Sequence, residues 1–219
     1  MEKAENVTEN GGENTQEKRY FAKVLWGGLL KSRKSAALPG AKIYPPTLTN
    51  SDLANIKIAN EMGVTGVMQP FVRDHSDLEC VKEALREAGA EDIRLFAKIE
   101  NMDGVRKLEK LLPAADEIVI ARGDLGNAVH LWDLPGVQRQ ISEKCRAAGK
   151  PFMVVTQMLA SMERSPVPTR AEVNDIFHAV MDGAASIMVT GETAVGDYPV
   201  EVIRYMVNTV RSAEKEENR

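Results

Sequence analysis

The sequence predicts an α/β fold of parallel strands with outer helices, a partial TIM barrel of about five βα units, and three observations point to it. Strand-like runs rich in Val, Ile and Met alternate with helix-like segments through residues 47–212. Those runs lack apolar–polar alternation, as strands buried on both faces do, which calls for a parallel sheet built of right-handed βαβ units. Polar residues fall at or just past the carboxyl ends of successive strands: Lys98 and Glu100, Gly123 and Asp124, Thr156, and Thr190 with Glu192. A ring of such groups at one rim is the habit of a (β/α)8 barrel.

The first residues, through about Arg19, are polar and charged and cannot bury enough surface to offset their ordering entropy, so residues 1–19 are expected to be disordered. Residues 20–46 are apolar in patches but broken by Gly27, Gly28, Pro39, Gly40, Pro45 and Pro46, and read as a connector with one short strand at most. Regular patterning begins at Thr47. "TLTNSDLANIKIANEMG" offers an N-cap at Thr49 or Ser51, apolar Leu53, Ile56 and Met62, and Gly63 as a stop. After the strand "VTGVMQPFV", Ser76 and Glu79 form the capping box of a helix closed by Gly89. "IRLFAKI" is a strand, "MDGVRKLEKLL" a helix and "EIVIAR" a strand. The next helix opens with Pro135 in its first turn and ends at Gly149. "PFMVVTQM" is a strand, and Thr169 with Glu172 caps a helix that stops at Gly183. "ASIMVTG" is the last strand and "YPVEVIRYMVNTV" the last helix, with a charged tail over residues 213–219.

Composition narrows the function. Lys and Arg number 28 against 32 Asp and Glu, so no excess of positive charge is available to hold a polyanion, and nucleic acid is not an expected partner. Cys80 and Cys145 lie outside any CxxC or Cys/His pattern, so neither a disulfide framework nor a zinc site is indicated. No stretch approaches the roughly 18 to 20 apolar residues of a membrane span, and the first residues lack an apolar signal core. A soluble, cytoplasmic protein is expected.

Lys98 and Glu100 sit two apart on one strand and therefore share a face. Asp124 follows the next strand, and adjacent parallel strands lie about 4.8 Å apart, so Glu100 and Asp124 can converge on one hard cation such as Mg²⁺. Glycine at 123 allows close backbone approach to a ligand, and its amide and that of Asp124 could bind an anion. Lys98 would add a second positive centre suited to an enolate or a phosphoryl group in transfer. A buried Lys–Glu ion pair that only satisfies itself explains these two residues equally well. Thr156 is also explained as a strand former, Glu192 as a loop carboxylate bonded to backbone amides, and the methionines as core filling. None of His75, His130 and His178 reads as a ligand or base.

"FAKIENMDGVRKLEKLLPAADEIVIARGDLG", followed by "AAGKPFMVVTQMLASMERSPVPTRAEVNDIFHAVMDGAASIMVTGETAVGDYPVEVIRYM", resembles the second half of the catalytic barrel of pyruvate kinase. The likeness extends upstream through "PFVRDHSDL" and covers roughly residues 24–212. It implies phosphoryl transfer from phosphoenolpyruvate to ADP, giving pyruvate and ATP, with Mg²⁺ or Mn²⁺ as cofactor. By matching position, Lys98 resembles the family's essential lysine, and Glu100 and Asp124 resemble its divalent-metal ligands. Ala121, Arg122 and Gly123 match the loop that holds the substrate carboxylate, and Thr156 matches the threonine that assists enol protonation. K⁺ is expected for the family, but its ligands have no counterpart here.

Departures accompany the likeness. Pro70 stands where the family has a serine, Thr190 replaces another, and "GDLGNAVHLWDLPG" replaces the usual "GDLGVEI" continuation. The family's first three barrel strands, with the phosphate arginine and part of the nucleotide site, most of its lid and its regulatory domain find no match. Completing a barrel would then need self-association or a partner chain. Two further functions fit the residues: a metal-dependent decarboxylase or lyase acting on a pyruvate enolate, with an oxaloacetate-like substrate, and a catalytically inactive interaction protein.

Overall fold

The computed structural model describes residues 45–217 continuously, together with residues 5–6, 18–19, 23–24, 27–29 and 32. The chain divides into two compact units, residues 1–36 and 37–219. Within the first, strands β1 (Glu5–Asn6) and β2 (Lys18–Arg19) pair antiparallel. Most of the polar stretch expected to be disordered, and most of the 20–46 connector, lie outside the described residues.

The second unit is the expected α/β layer. β3 (Gly66–Gln69), β4 (Arg94–Ile99), β5 (Glu117–Ala121), β6 (Phe152–Val155) and β7 (Ser186–Met188) form one sheet in chain order, every neighbouring pair parallel. Between them run α1 (Asn50–Ile58), α2 (His75–Glu87), α3 (Met102–Arg106), α4 (Leu108–Leu111), α5 (Arg122–Ala128), α6 (Leu134–Ala147), α7 (Arg170–Met181), α8 (Gly191–Ala194) and α9 (Pro199–Glu217). A 3-10 turn covers Ala160–Glu163.

The register divides the side chains between two faces. Leu95, Ala97, Ile99, Ile118, Ile120, Phe152 and Val154 join one large core with helix residues such as Leu78, Leu85, Leu108, Leu111, Ile141, Ile176 and Val202. The alternate residues, Val119, Ala121 and Val155 with Phe96, Met153 and Met188, form a second, smaller cluster drawn from strands alone. The helices therefore cover one face, as they do outside a barrel wall. Only β5 is buried at every position, whereas the second face of β4 is half-buried and Met68 of β3 is exposed. The continuous apolar character read as burial on both faces thus holds fully for the central strand. The strands flanking it have no helix over their second face among the described residues.

Capping chemistry sets most helix starts. Thr169 with Glu172 forms the expected reciprocal capping box at α7, and at α1 Thr49, one of the two expected N-caps, forms a reciprocal box with Asp52. At α2 the box is Asp74 with Asp77, two residues ahead of the expected Ser76 and Glu79, because the Asp74 carboxylate already accepts the Ser76 amide at 3.0 Å. The helix expected over 102–112 breaks at Lys107 into α3 and α4, and α9 continues through Glu217 into the residues read as a tail.

Asp77, 3% exposed, accepts hydrogen bonds from the Arg73 amide and guanidinium and from the Thr47 hydroxyl at 2.6–3.1 Å. Burial alone would raise its pKa, but the bonds from Arg73 and Thr47 outweigh it and hold the carboxyl at about 2. A depressed carboxylate pKa stabilises the fold above the unfolded value of 3.8, and the contribution fades as pH falls towards 2. Asp77→Asn is expected to cost roughly 2 kcal/mol at neutral pH and to flatten the loss of stability between about pH 4 and 2. Urea unfolding of both proteins at pH 7 and pH 3 checks this.

Candidate functional site at the strand ends

The polar residues singled out in the sequence do collect at the carboxyl end of the sheet. Strand alternation puts Lys98 and Glu100 on one face, and Lys98 Nζ lies 2.8 Å from Glu100 Oε1. The second oxygen, Glu100 Oε2, accepts the Phe71 amide at 2.8 Å. Glu100 is 4% exposed, while the Lys98 side chain keeps 25% of its surface in solvent. Register continues this row sideways: Lys98 pairs with Val119, and Val119 with Met153. One step further along, Glu100 follows Ile99, the partner of Ile120, and so stands level with Ala121.

Ala121 ends β5, and Arg122 opens α5 directly. The expected substrate loop is therefore a strand end followed by a helical first turn, in which the Gly123 and Asp124 amides have no intrahelical acceptor. Asp124 is exposed and makes no hydrogen bond or ion pair among the described residues. Gly123 lies against β6: a Cβ there would come within 3.0 Å of Thr156 Cγ2. This close approach joins the Gly123 backbone to Thr156 across two strands.

Thr156 stops β6 in an unusual way. Its φ is +83°, and that of Gln157 is +56°. Left-handed backbone costs a residue with a side chain on the order of 1–3 kcal/mol, and persists only when surrounding contacts enforce it. Phe71, whose amide caps Glu100, also has a positive φ of 50°. All three non-glycine residues with positive φ among those described lie at this rim.

The enforcing contacts come from Arg122. Its Nε and Nη2 donate to the Thr156 carbonyl at 3.1 and 2.7 Å, and Nη2 also reaches the Gln157 carbonyl at 3.3 Å. Nη1 donates to both carboxylate oxygens of Asp175 on α7, at 2.8 and 2.7 Å. The Arg122 charge is thus spent inside the protein, and what it leaves for a ligand is backbone. Two further carboxylates pin the segment after β6. Glu172 accepts the Ser161 amide and hydroxyl at 2.7 and 2.6 Å, and Glu192 accepts the Leu159 amide at 3.3 Å and the Thr190 amide at 2.7 Å. Burial would raise the Glu172 pKa, but the Ser161 and Thr169 bonds lower it on balance. Glu192 thus bonds to backbone amides as its sequence position suggested, but from the first turn of α8 and not from a loop.

Asp175 and the Phe71 amide were not evident beforehand. A signal for Asp175 exists in retrospect: it lies one residue before Ile176 and four before Ala179, both buried, where a charge needs a partner.

Glu100 and Asp124 offer the oxygen donors that Mg²⁺ accepts, and each Glu100 oxygen keeps a lone pair beyond its present bond. Among the described residues no three His, Cys, Asp or Glu side chains cluster as a complete metal cage. Two protein carboxylates, with water and substrate oxygens filling the remaining positions, are the usual provision for this ion. The donor set therefore fits it. Two clefts of the described surface, one lined by Arg73, Asp77 and Lys107 and one by Lys82, Arg86 and Asp116, include none of these residues.

Residues 8–203 match the family described as "Pyruvate kinase, barrel domain". The chain is 40% identical over 202 residues to the pyruvate kinase of Bacillus licheniformis, covering 92% of this chain and 34% of that protein. Likeness to the pyruvate kinase of Geobacillus stearothermophilus is 42% over 183 residues, 84% of this chain and 31% of the relative. That to the Dictyostelium discoideum enzyme is 42% over 185 residues, 84% and 36%. The chain spans about a third of the length of these relatives.

Because the Gln157 side chain is exposed and makes no hydrogen bond among the described residues, Gln157→Gly should remove backbone strain without removing a side-chain hydrogen bond. Stability is expected to rise by about 1 kcal/mol, seen as a higher urea midpoint.

Proposed function

From the premise that the chain belongs to the pyruvate kinase family, we propose that its strand-end rim carries phosphoryl transfer from phosphoenolpyruvate to ADP. The observation that supports this most directly is the Lys98–Glu100 pair, at 2.8 Å, held at the end of β4 beside the Ala121–Asp124 turn.

In this reading the Gly123 and Asp124 amides receive the substrate carboxylate, and the neighbouring glycine lets it approach the backbone. Lys98 offers its ammonium to the oxygens on which negative charge develops as the phosphoryl group leaves, a preorganised charge requiring little rearrangement. Thr156, pressed against Gly123, holds the hydroxyl through which a proton reaches the enolate carbon to complete pyruvate. Glu100 and Asp124 would hold Mg²⁺ or Mn²⁺, which when bound supplies positive charge to enolate and phosphoryl oxygens. K⁺ is proposed only by family likeness. Decarboxylation of an oxaloacetate-like substrate has no observation of its own in its favour. No helix among the described residues is long and apolar enough to cross a membrane, and the proposed compartment is the cytoplasm.

The experiment is pyruvate formation from phosphoenolpyruvate and ADP with Mg²⁺, run beside Lys98→Ala. Wild type should turn over, and the variant should be slower by about 10²-fold or more, the scale of losing one aligned charge donor. Equal silence of the two proteins overturns the reading for this chain.

A further inference from the structure

We infer that Asp175 is a positioning residue for Thr156, acting through Arg122; the catalytic part of this inference rests on the function proposed above. Three observations meet in it. Thr156 and Gln157 hold consecutive positive φ values, +83° and +56°, that neither residue type favours. The carbonyls of these two residues are gathered by one guanidinium, with contacts of 3.1 and 2.7 Å to Thr156 and 3.3 Å to Gln157. That guanidinium, 11% exposed, meets Asp175 alone among the carboxylates of the described residues.

The dependence runs outward from the rim. Arg122 is almost dry, and a charge so placed needs an opposite charge to remain there. Without the Asp175 carboxylate the side chain gains by swinging to water, and the two carbonyls lose their donors. The turn then relaxes towards negative φ, and the Thr156 side chain leaves its place beside Gly123, where a Cβ would lie 3.0 Å from Thr156 Cγ2 and 3.6 Å from the hydroxyl Oγ1. The rest of the segment has its own anchors, since Leu159 donates to Glu192 and Ser161 to Glu172. Loss of the Arg122–Asp175 pair therefore frees a short stretch and not the whole loop. Asp175 belongs to α7, and its hydrogen bonds and ion pair among the described residues are all with Arg122.

The test uses the full chain with the near-isosteric Asp175→Asn, and NMR-detected amide exchange without substrate. Residues 156–158 should exchange faster by about tenfold, with Leu159, Ser161, β4 and β5 as protected as in wild type. Asp175→Glu should restore protection in part, and Arg122→Gln, breaking the pair from its other end, should reproduce the local release. Unchanged exchange at 156–158 overturns the inference. So does loss of protection spread equally through β4 and β5, which would make the pair a brace of the whole fold. In turnover, Asp175→Asn should lower kcat with KM for ADP unmoved, and a change confined to that KM also counts against it. A wild type forming no pyruvate removes the catalytic reading alone, because exchange still decides whether the clamp sets the turn.

Discussion

The parallel register of the five strands is the constraint from which the site follows. Lys98 stands beside Val119 and Val119 beside Met153, while Ile99 stands beside Ile120 and Ile120 beside Val154. Because strand side chains alternate, a slip of one residue in β4 would send Lys98 and Glu100 into the helix-side core and expel Leu95, Ala97 and Ile99. Burial of Leu95, Ile99, Ile118, Ile120, Phe152 and Val154 is worth about 1.5–3 kcal/mol for each large side chain. No surface ion pair approaches that total, since such pairs contribute roughly 0–1 kcal/mol. The apolar face therefore fixes the register, and the polar groups of the other face are carried into position by it. Asp116 reinforces the choice by accepting the Leu95 amide at 2.7 Å.

At the rim the same chain meets a second demand. Strands that end together leave loops whose amides and carbonyls need partners, and acidic side chains supply many of them. Glu100 takes the Phe71 amide, Glu172 takes Ser161, Glu192 takes Leu159 and Thr190, and Asp175 acts through Arg122. Asp124 is different, exposed and without a protein partner among the described residues. The rim is thus mostly a set of braces that hold strained turns, with a carboxylate and an ammonium left available between them.

What could be read in the sequence was what depends on local chemistry. An N-cap at Thr49 or Ser51, the capping box at Thr169, glycine stops and the uninterrupted apolar strands placed the main elements, and matching positions brought Lys98, Glu100, Gly123 and Thr156 to one rim. Short elements escaped: α5, α8 and the 3-10 turn are two turns or fewer and carry no hydrophobic period. Asp74 and Ser76 are both good caps, and nothing local chooses between them. "VVTQM" reads as continuous strand because Thr, Gln and Met tolerate one. What ends it is Arg122, 34 residues earlier, so the turn is a tertiary fact. The same contacts direct the Arg122 guanidinium inward, to the Thr156 and Gln157 carbonyls and Asp175.

The exposure of the Lys98–Glu100 pair bears on whether it is merely structural. Removing a carboxylate from water costs several kcal/mol, and Glu100, almost fully buried, recovers this from the Lys98 ammonium and the Phe71 amide. Both of its oxygens are thereby satisfied. Lys98 is not in the same condition. An ammonium has three donors, one directed to Glu100, and no other hydrogen bond or ion pair of the Lys98 ammonium occurs among the described residues. A quarter of its side-chain surface remains open. The asymmetry leaves a fixed positive charge with donors to spare, aligned by β4 and level with the turn at Ala121, and that is the condition an anionic substrate requires.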